Sequence, residues 1–196
     1  MKIGLFFGSF NPIHIGHLIL ANYILENSDM DQLWFVVSPQ NPFKEKKSLL
    51  NDHNRLDMVQ LAVKNYPNMR ASNVEFSLPK PSYTVDTLAY LKEKHPEHSF
   101  ALIMGEDNLA GLKKWKNSEF LMDNYQIIVY PRIYDEKNAP IEYPEHENIK
   151  LVQAPIIELS ATEIRTMIKE NKNVRPMLPP EVFEYLDGSS FYKETL

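Results

Sequence analysis

The chain has 196 residues, 43% of them hydrophobic and 24% charged, which suits one globular domain over 1–196 with a substantial core. A formal net charge of -5 argues against a partner as phosphate-rich as nucleic acid, yet a few focused cations can still hold a small anion. The lack of cysteine excludes disulfides, thiolate metal sites and a cysteine nucleophile, and no segment approaches the roughly 18 apolar residues of a membrane span.

In chain order, the apolar run IGLFFG (3–8) ends in glycine and predicts a buried parallel strand. It is too short, with polar residues following at once, to be a signal peptide, so a cytoplasmic protein is expected. HLILANYILEN (17–27) has helical spacing, and LWFVVS (33–38) reads as a second strand. A proline-marked loop with three lysines (39–50) precedes an amphipathic helix over 52–66, with Asn51 or Asp52 as its cap. A third strand is expected over 69–76, a stiff loop over 78–83 and a helix over 84–95. SFALIMG (99–105) is another strand ending in glycine; two short helices, a strand over 126–132 and a polar surface excursion over 134–148 follow. A sixth strand is expected over 149–155, a helix over 160–171 and a short helix in the tail. Strands alternating with helices predict an α/β fold, a Rossmann-like, doubly wound parallel sheet of about five to six strands with helices on both faces.

Such sheets bind ligands at the carboxyl ends of their strands, where GSFNPIHIGH (8–17) falls. Gly8 lets the chain turn closely, Ser9 and Phe10 offer backbone N–H groups, and His14 and His17 lie three apart at a helix start. Imidazole donors beside the positive end of a helix suit a polyphosphate. A glycine turn with two incidental surface histidines would read the same way. A zinc site is weaker, because no third ligand is evident. In LSATEIR (159–165), Ser160 and Glu163 form a capping box, which alone accounts for both. Thr162 and Arg165 go further, placing a hydroxyl and a guanidinium where helix-start N–H groups could meet an anion.

Together these two motifs resemble the nucleotidyltransferase superfamily with the H-x-G-H signature, in which they enclose the triphosphate of ATP or CTP. Leu159 stands where that family usually has isoleucine, a volume-conserving change. The chain is not a class I aminoacyl-tRNA synthetase: it lacks a K-M-S-K-S-like loop and the length needed to handle tRNA. The middle of the chain, PSYTVDTL (81–88), MGEDNLAGLKKW (104–115) and VYPR (129–132), resembles the bacterial nicotinate-nucleotide adenylyltransferases in the same order. That resemblance implies joining of ATP to nicotinate mononucleotide in NAD biosynthesis, with release of pyrophosphate.

The resemblance assigns His14, His17, Lys44 and Arg165 to catalysis. It assigns Gly8, Ser9, Phe10, His14, His17, Gly105, Asp107, Ser160, Thr162 and Arg165 to ATP. It assigns Ser82, Thr84, Val85, Asp107, Trp115 and the Lys116 amide to the mononucleotide. The chemistry agrees: Trp115 could stack on a cationic pyridine ring, and the N–H groups of a helix opening at Thr84 and Val85 can receive a carboxylate. A core tryptophan, an ordinary cap at Ser82–Thr84 and a capping role for Asp107 are the plainer readings of those residues. Asn41-Pro42-Phe43-Lys44 departs from the family's Pro-Pro-His-Lys-like loop; the lysine stays, and any role of the histidine is vacant or filled elsewhere. Mg²⁺ is expected as cofactor, held mainly by ATP phosphates, with no metal site of the protein's own. The implied partners are ATP and nicotinate mononucleotide, with no nucleic acid and no membrane; a homo-oligomer is left open. The alternatives are a nicotinamide-mononucleotide or phosphopantetheine adenylyltransferase, and a non-catalytic nucleotide-binding module.

Overall fold

The structure, a computed structural model, describes residues 1–39, 49–132 and 144–193. Six parallel strands form one sheet in the order β3-β2-β1-β4-β5-β6: β1 Lys2–Gly8, β2 Gln32–Val37, β3 Met69–Ser72, β4 Ser99–Gly105, β5 Gln126–Tyr130 and β6 Ile149–Leu151. The seven α-helices of the described residues are α1 Ile15–Glu26, α2 Asp52–Val63, α3 Thr84–Lys94, α4 Glu106–Ala110, α5 Ser118–Asn124, α6 Ala161–Lys169 and α7 Pro180–Asp187. The expected doubly wound sheet is therefore present.

Alternation along the strands divides the core. Ile3 and Leu5, Trp34 and Val36, and Ile127 and Val129 point to the face covered by α3, α4 and α5, through Val85, Leu88, Leu109 and Leu121. Phe6, Phe35, Ile103 and Ile128 point to the other face, where α1, α2, α6 and α7 bring Ala21, Ile24, Val59, Ile164 and Val182. Because β1, β2, β4 and β5 are buried on both sides, they read as continuous apolar runs in the sequence.

The chain leaves β1 for β2 on one side and returns to β4 on the other, so the order of strands reverses between β1 and β4. Phe6 pairs with Ile103, and these two strands end side by side in Gly8 and Gly105. A ligand crevice opens at such a reversal.

Three departures from the sequence expectation have a clear local cause or consequence. The third strand stops at Ser72, whose Oγ accepts from the Val74 N–H at 3.4 Å and starts a 3-10 turn, Val74–Ser77. The last strand is a three-residue edge that ends at Leu151, well short of Pro155, which has no N–H to pair. The segment after Gly111 is a 3-10 turn, Leu112–Lys114, and not a continuation of α4. The lysine-rich loop with Phe43 and Lys44 lies largely outside the described residues, as does most of the excursion over 134–148.

Candidate active site

A crevice of about 600 Å³ opens over the carboxyl ends of β1 and β4. It brings together residues from the start, middle and end of the chain: Gly8, Ser9, Phe10, His14 and His17; Ser82, Thr84, Asp107, Trp115 and Lys116; Ser160, Thr162 and Arg165. Two assigned residues stand just behind this lining. Val85 is buried under α3, and Gly105 ends β4 where a Cβ would collide with the Asp107 carboxylate and crowd Arg132.

On the side built from residues 8–17 the first turn is tightly packed. Phe10 takes a φ of 43°, uncommon for a bulky residue, with its ring buried edge-on against His17 (5.2 Å) and Phe35 (5.5 Å). Glycine is required at position 8, since a Cβ there would come within 2.7 Å of the Phe10 ring. His14 is the residue before α1, and its backbone N–H donates to His17 Nδ1 at 3.2 Å. A neutral His17 therefore carries its proton on Nε2. The two imidazoles lie against each other, tilted by 30° with centroids 3.8 Å apart. Burial, helped by the nearby Arg132 charge, lowers the His14 pKa to about 4, so this ring is neutral near pH 7. It can act there as a hydrogen-bonding group but not as a cation, and its buried Nδ1 has no partner.

The second motif meets the first. Ser160 caps α6 by accepting from the Glu163 N–H at 3.1 Å, which is the Ser160 half of the expected capping box. Arg165 Nη2 donates to Thr162 Oγ1 at 3.2 Å, and Nη1 donates to the Asn11 carbonyl at 2.8 Å. Arg165 thus ties α6 to the first turn across 154 residues.

On the opposite side, α3 begins without a side-chain cap. The preceding residue is Tyr83, whose carbonyl accepts from the Asp86 and Thr87 N–H groups. Neither Ser82 nor Thr84 caps the helix, and the Thr84 and Val85 N–H groups meet no acceptor among the described residues. Ser82 Oγ is buried and unpartnered in the crevice wall. Trp115 follows the 3-10 turn and is half-buried, lining the crevice without vanishing into the core. Lys116 Nζ pairs with Asp86 at 2.9 Å and lies 5.0 Å from the Tyr83 ring centroid, holding this segment against α3. Asp107 is the second residue of α4, while Gly105 precedes the helix, so the carboxylate is not its cap. Its Oδ1 lies 3.8 Å from Arg132 Nε.

Several residues were not assigned from sequence. Arg132, the last residue of VYPR, reaches the crevice and donates to the Tyr130 hydroxyl at 3.3 Å. Asn11 Oδ1 accepts from the Leu50 N–H at 3.2 Å and from the Tyr192 hydroxyl at 2.6 Å. Burial pushes the Tyr192 phenol well above its usual range. Glu75 is buried in the wall with its carboxyl pushed up by burial; Oε1 accepts from the Thr87 hydroxyl at 2.9 Å. Arg55 is fully buried on α2 and bonds to backbone carbonyls alone among the described residues. A charge in the apolar stripe of a helix was the available signal for it.

Donor chemistry also bears on metals. Among the described residues the crevice has no carboxylate cluster, and Asp107 is beside Arg132. Among the described residues, one three-residue cluster has its ligand atoms close together: His95, Glu97 and His98, at the amino end of β4. Its imidazole planes lie 6° from parallel with centroids 5.5 Å apart, so their in-plane lone pairs do not converge on one point.

Residues 5–167 match the model of the cytidylyltransferase-like family. A relative from Flavobacterium johnsoniae, named "Probable nicotinate-nucleotide adenylyltransferase", is 55% identical over 99% of this chain and 100% of its own. One from Flavobacterium psychrophilum with the same name is 54% identical over 99% and 100%. The solved nicotinic acid mononucleotide adenylyltransferase of Plasmodium falciparum, complexed with NaAD, superposes with a TM-score of 0.75 at 20% identity, covering 97% of each chain. That last likeness is one of fold.

Proposed function

The chain belongs to the cytidylyltransferase-like family and, within it, to the nicotinate-nucleotide adenylyltransferases, and on that premise we propose that it joins ATP to nicotinate mononucleotide, giving deamido-NAD and pyrophosphate. The observation that carries the reading is the crevice itself. It sets the Asn11 carbonyl 2.8 Å from Arg165, uniting two distant phosphate-type motifs opposite an uncapped helix start and a half-buried tryptophan.

In this reading a phosphate oxygen of the mononucleotide attacks the α-phosphorus of ATP in line, the bond to the β-phosphate bridge breaks, and pyrophosphate leaves. The protein contributes positioning and charge stabilisation, the usual logic of such transfers. His17 Nε2–H, neutral His14, the Phe10 N–H and Arg165 face the triphosphate, with Ser160 and Thr162 at the second helix start. Lys44 would add a cation from its loop. Mg²⁺, held by phosphate oxygens, supplies further charge neutralisation when bound.

Trp115 stacks on the pyridine ring, an attraction that strengthens for a cationic ring. The N–H groups of Thr84, Val85 and Lys116 receive its carboxylate, with Ser82 in the adjoining wall and Asp107 toward the ribose hydroxyls. A carboxylate at a helix start gains about 1–2 kcal/mol over a neutral amide, or roughly five- to thirtyfold in preference. The absence of cysteine suits an enzyme of the reducing cytoplasm. Pyrophosphate release with ATP and, in turn, nicotinate mononucleotide, nicotinamide mononucleotide and phosphopantetheine tests the reading. Nicotinate mononucleotide is expected to be preferred; a preference for nicotinamide mononucleotide would overturn the substrate, and no release with any of them the enzyme.

A further inference from the structure

Arg55 stands outside every role assigned above. Its side chain is completely buried, yet among the described residues none of its hydrogen bonds goes to a carboxylate. Nη1 donates to the Ser9 carbonyl at 2.6 Å and the Ser38 carbonyl at 2.9 Å, Nε to the Leu50 carbonyl at 2.9 Å, and Nη2 to the Pro39 carbonyl at 3.4 Å. One guanidinium thus gathers the turn after β1, the end of β2 and the segment just before α2. Burying a charge is costly unless its donors are satisfied, so an apolar residue would be the ordinary occupant of this stripe of α2.

The contact with Ser9 has a geometric consequence. The Ser9–Phe10 peptide is trans, so its carbonyl and N–H point in opposite directions. With the carbonyl drawn back to Arg55, the Phe10 N–H is turned away from the protein interior, and Phe10 lines the crevice. That N–H meets no acceptor among the described residues. The positive φ of Phe10 is the local expression of this orientation, and successive N–H groups around such a residue form a concavity for anions.

We propose that Arg55 is a positioning residue for the adenylyl transfer: by holding the Ser9 carbonyl it fixes the 9–10 peptide and presents the Phe10 N–H to the triphosphate. Asn11, on the other side of the turn, is held by Arg165 through its own carbonyl, so two guanidiniums from different helices grip the 9–10 and 11–12 peptides on either side of the 10–11 peptide. Arg55 touches no substrate. It rests on the reading of the crevice as an ATP site, and it adds to that reading what keeps the phosphate-binding turn in shape.

Lysine keeps the charge but not the fork, so it cannot hold all of these carbonyls in the same plane. The test uses the full chain with Arg55→Lys and Arg55→Ala, assayed with ATP and nicotinate mononucleotide. Arg55→Lys is expected to melt cooperatively, to lose roughly ten- to a hundredfold in kcat through misplacement of the turn, and to change the KM for the mononucleotide less than about threefold. Millimolar guanidinium should restore part of the kcat of Arg55→Ala. A folded Arg55→Lys with unchanged kcat and unchanged KM for ATP overturns the inference, as does guanidinium that restores melting temperature without restoring kcat. Should neither variant fold, the parent decides: its Phe10 amide resonance must shift on titration with inorganic tripolyphosphate, and an unmoved resonance overturns the inference. A parent without turnover sinks the functional reading and this inference with it, whereas an active parent with an unaffected Arg55→Lys sinks this inference alone.

Discussion

On the side of the crevice proposed to hold the phosphates, the buried Arg55 and the partly buried Arg165 and Tyr192 bond to atoms far away in sequence. Arg55 reaches back 46 residues to Ser9, Arg165 reaches 154 to Asn11, and Tyr192 reaches 181 to the same asparagine. On the pyridine side, the fastening is an ion pair between Lys116 and Asp86, each nearly half exposed, and the helix start is left open. The difference suits the proposed division of roles. Transition-state charge needs donors that do not reorganise, so in that reading rigidity is concentrated where pyrophosphate would leave. Recognition of a planar ring and a carboxylate needs an accessible face and open N–H groups, which are cheap to provide on a looser surface.

The comparison breaks first at His17. Replacement by alanine removes a donor from the phosphate side and should lower kcat by about a hundredfold or more, with the circular dichroism of the fold kept. Near-normal turnover in this variant would mean that the rigid side does not face the triphosphate.

His14 tests the same side through stability. Its folded pKa of about 4 lies below the ordinary 6.5. Between those values the unfolded chain binds a proton that the folded one refuses. The contribution is complete above pH 6.5 and is lost as pH falls toward 4. His14→Gln should therefore flatten the acid-side fall in unfolding free energy by about 3 kcal/mol at most. Denaturant melts of both proteins across pH 4–7 check this, and parallel curves would contradict it.

On the looser side, Trp115→Ala should raise the KM for the mononucleotide about tenfold while kcat moves little, in line with a cation–π contact of 1–2 kcal/mol. An effect confined to ATP would place the pyridine elsewhere. The smallest change is expected for Lys116→Ala, which removes an exposed ion pair and should shift unfolding free energy by less than about 1 kcal/mol. A large loss there would erase the contrast between the two sides.

Much of the phosphate side was legible before any coordinates. Gly8 closes an apolar strand and His14 and His17 share a helix start, so local spacing alone placed them in the crevice. The convergence of residues 8–17 with 160–165 was legible because both follow strand ends in a parallel sheet. The bracing of that side was not. Arg55, Asn11 and Tyr192 act on backbone carbonyls or across the whole chain, and a carbonyl leaves no mark in the sequence. For Arg55 a signal did exist, a charge in line with Met58, Val59 and Ala62, all buried on α2. Glu75 was hidden for another reason: the expected strand ended early, so its carboxyl turned into the crevice wall. The charge state of His14 followed from burial, which periodicity at the start of α1 did not reveal. On the other side the plainer reading of Ser82–Thr84 as an ordinary cap does not hold, since neither serves as the cap of α3 and the helix start is open.

The most direct test of the account is product formation by the unmodified protein. Incubated with ATP, Mg²⁺ and nicotinate mononucleotide, it should yield a dinucleotide of the mass of deamido-NAD and an equimolar amount of pyrophosphate. Hydrolysis of ATP without a dinucleotide, or no reaction at all, would contradict the assignment of the two sides to one transfer.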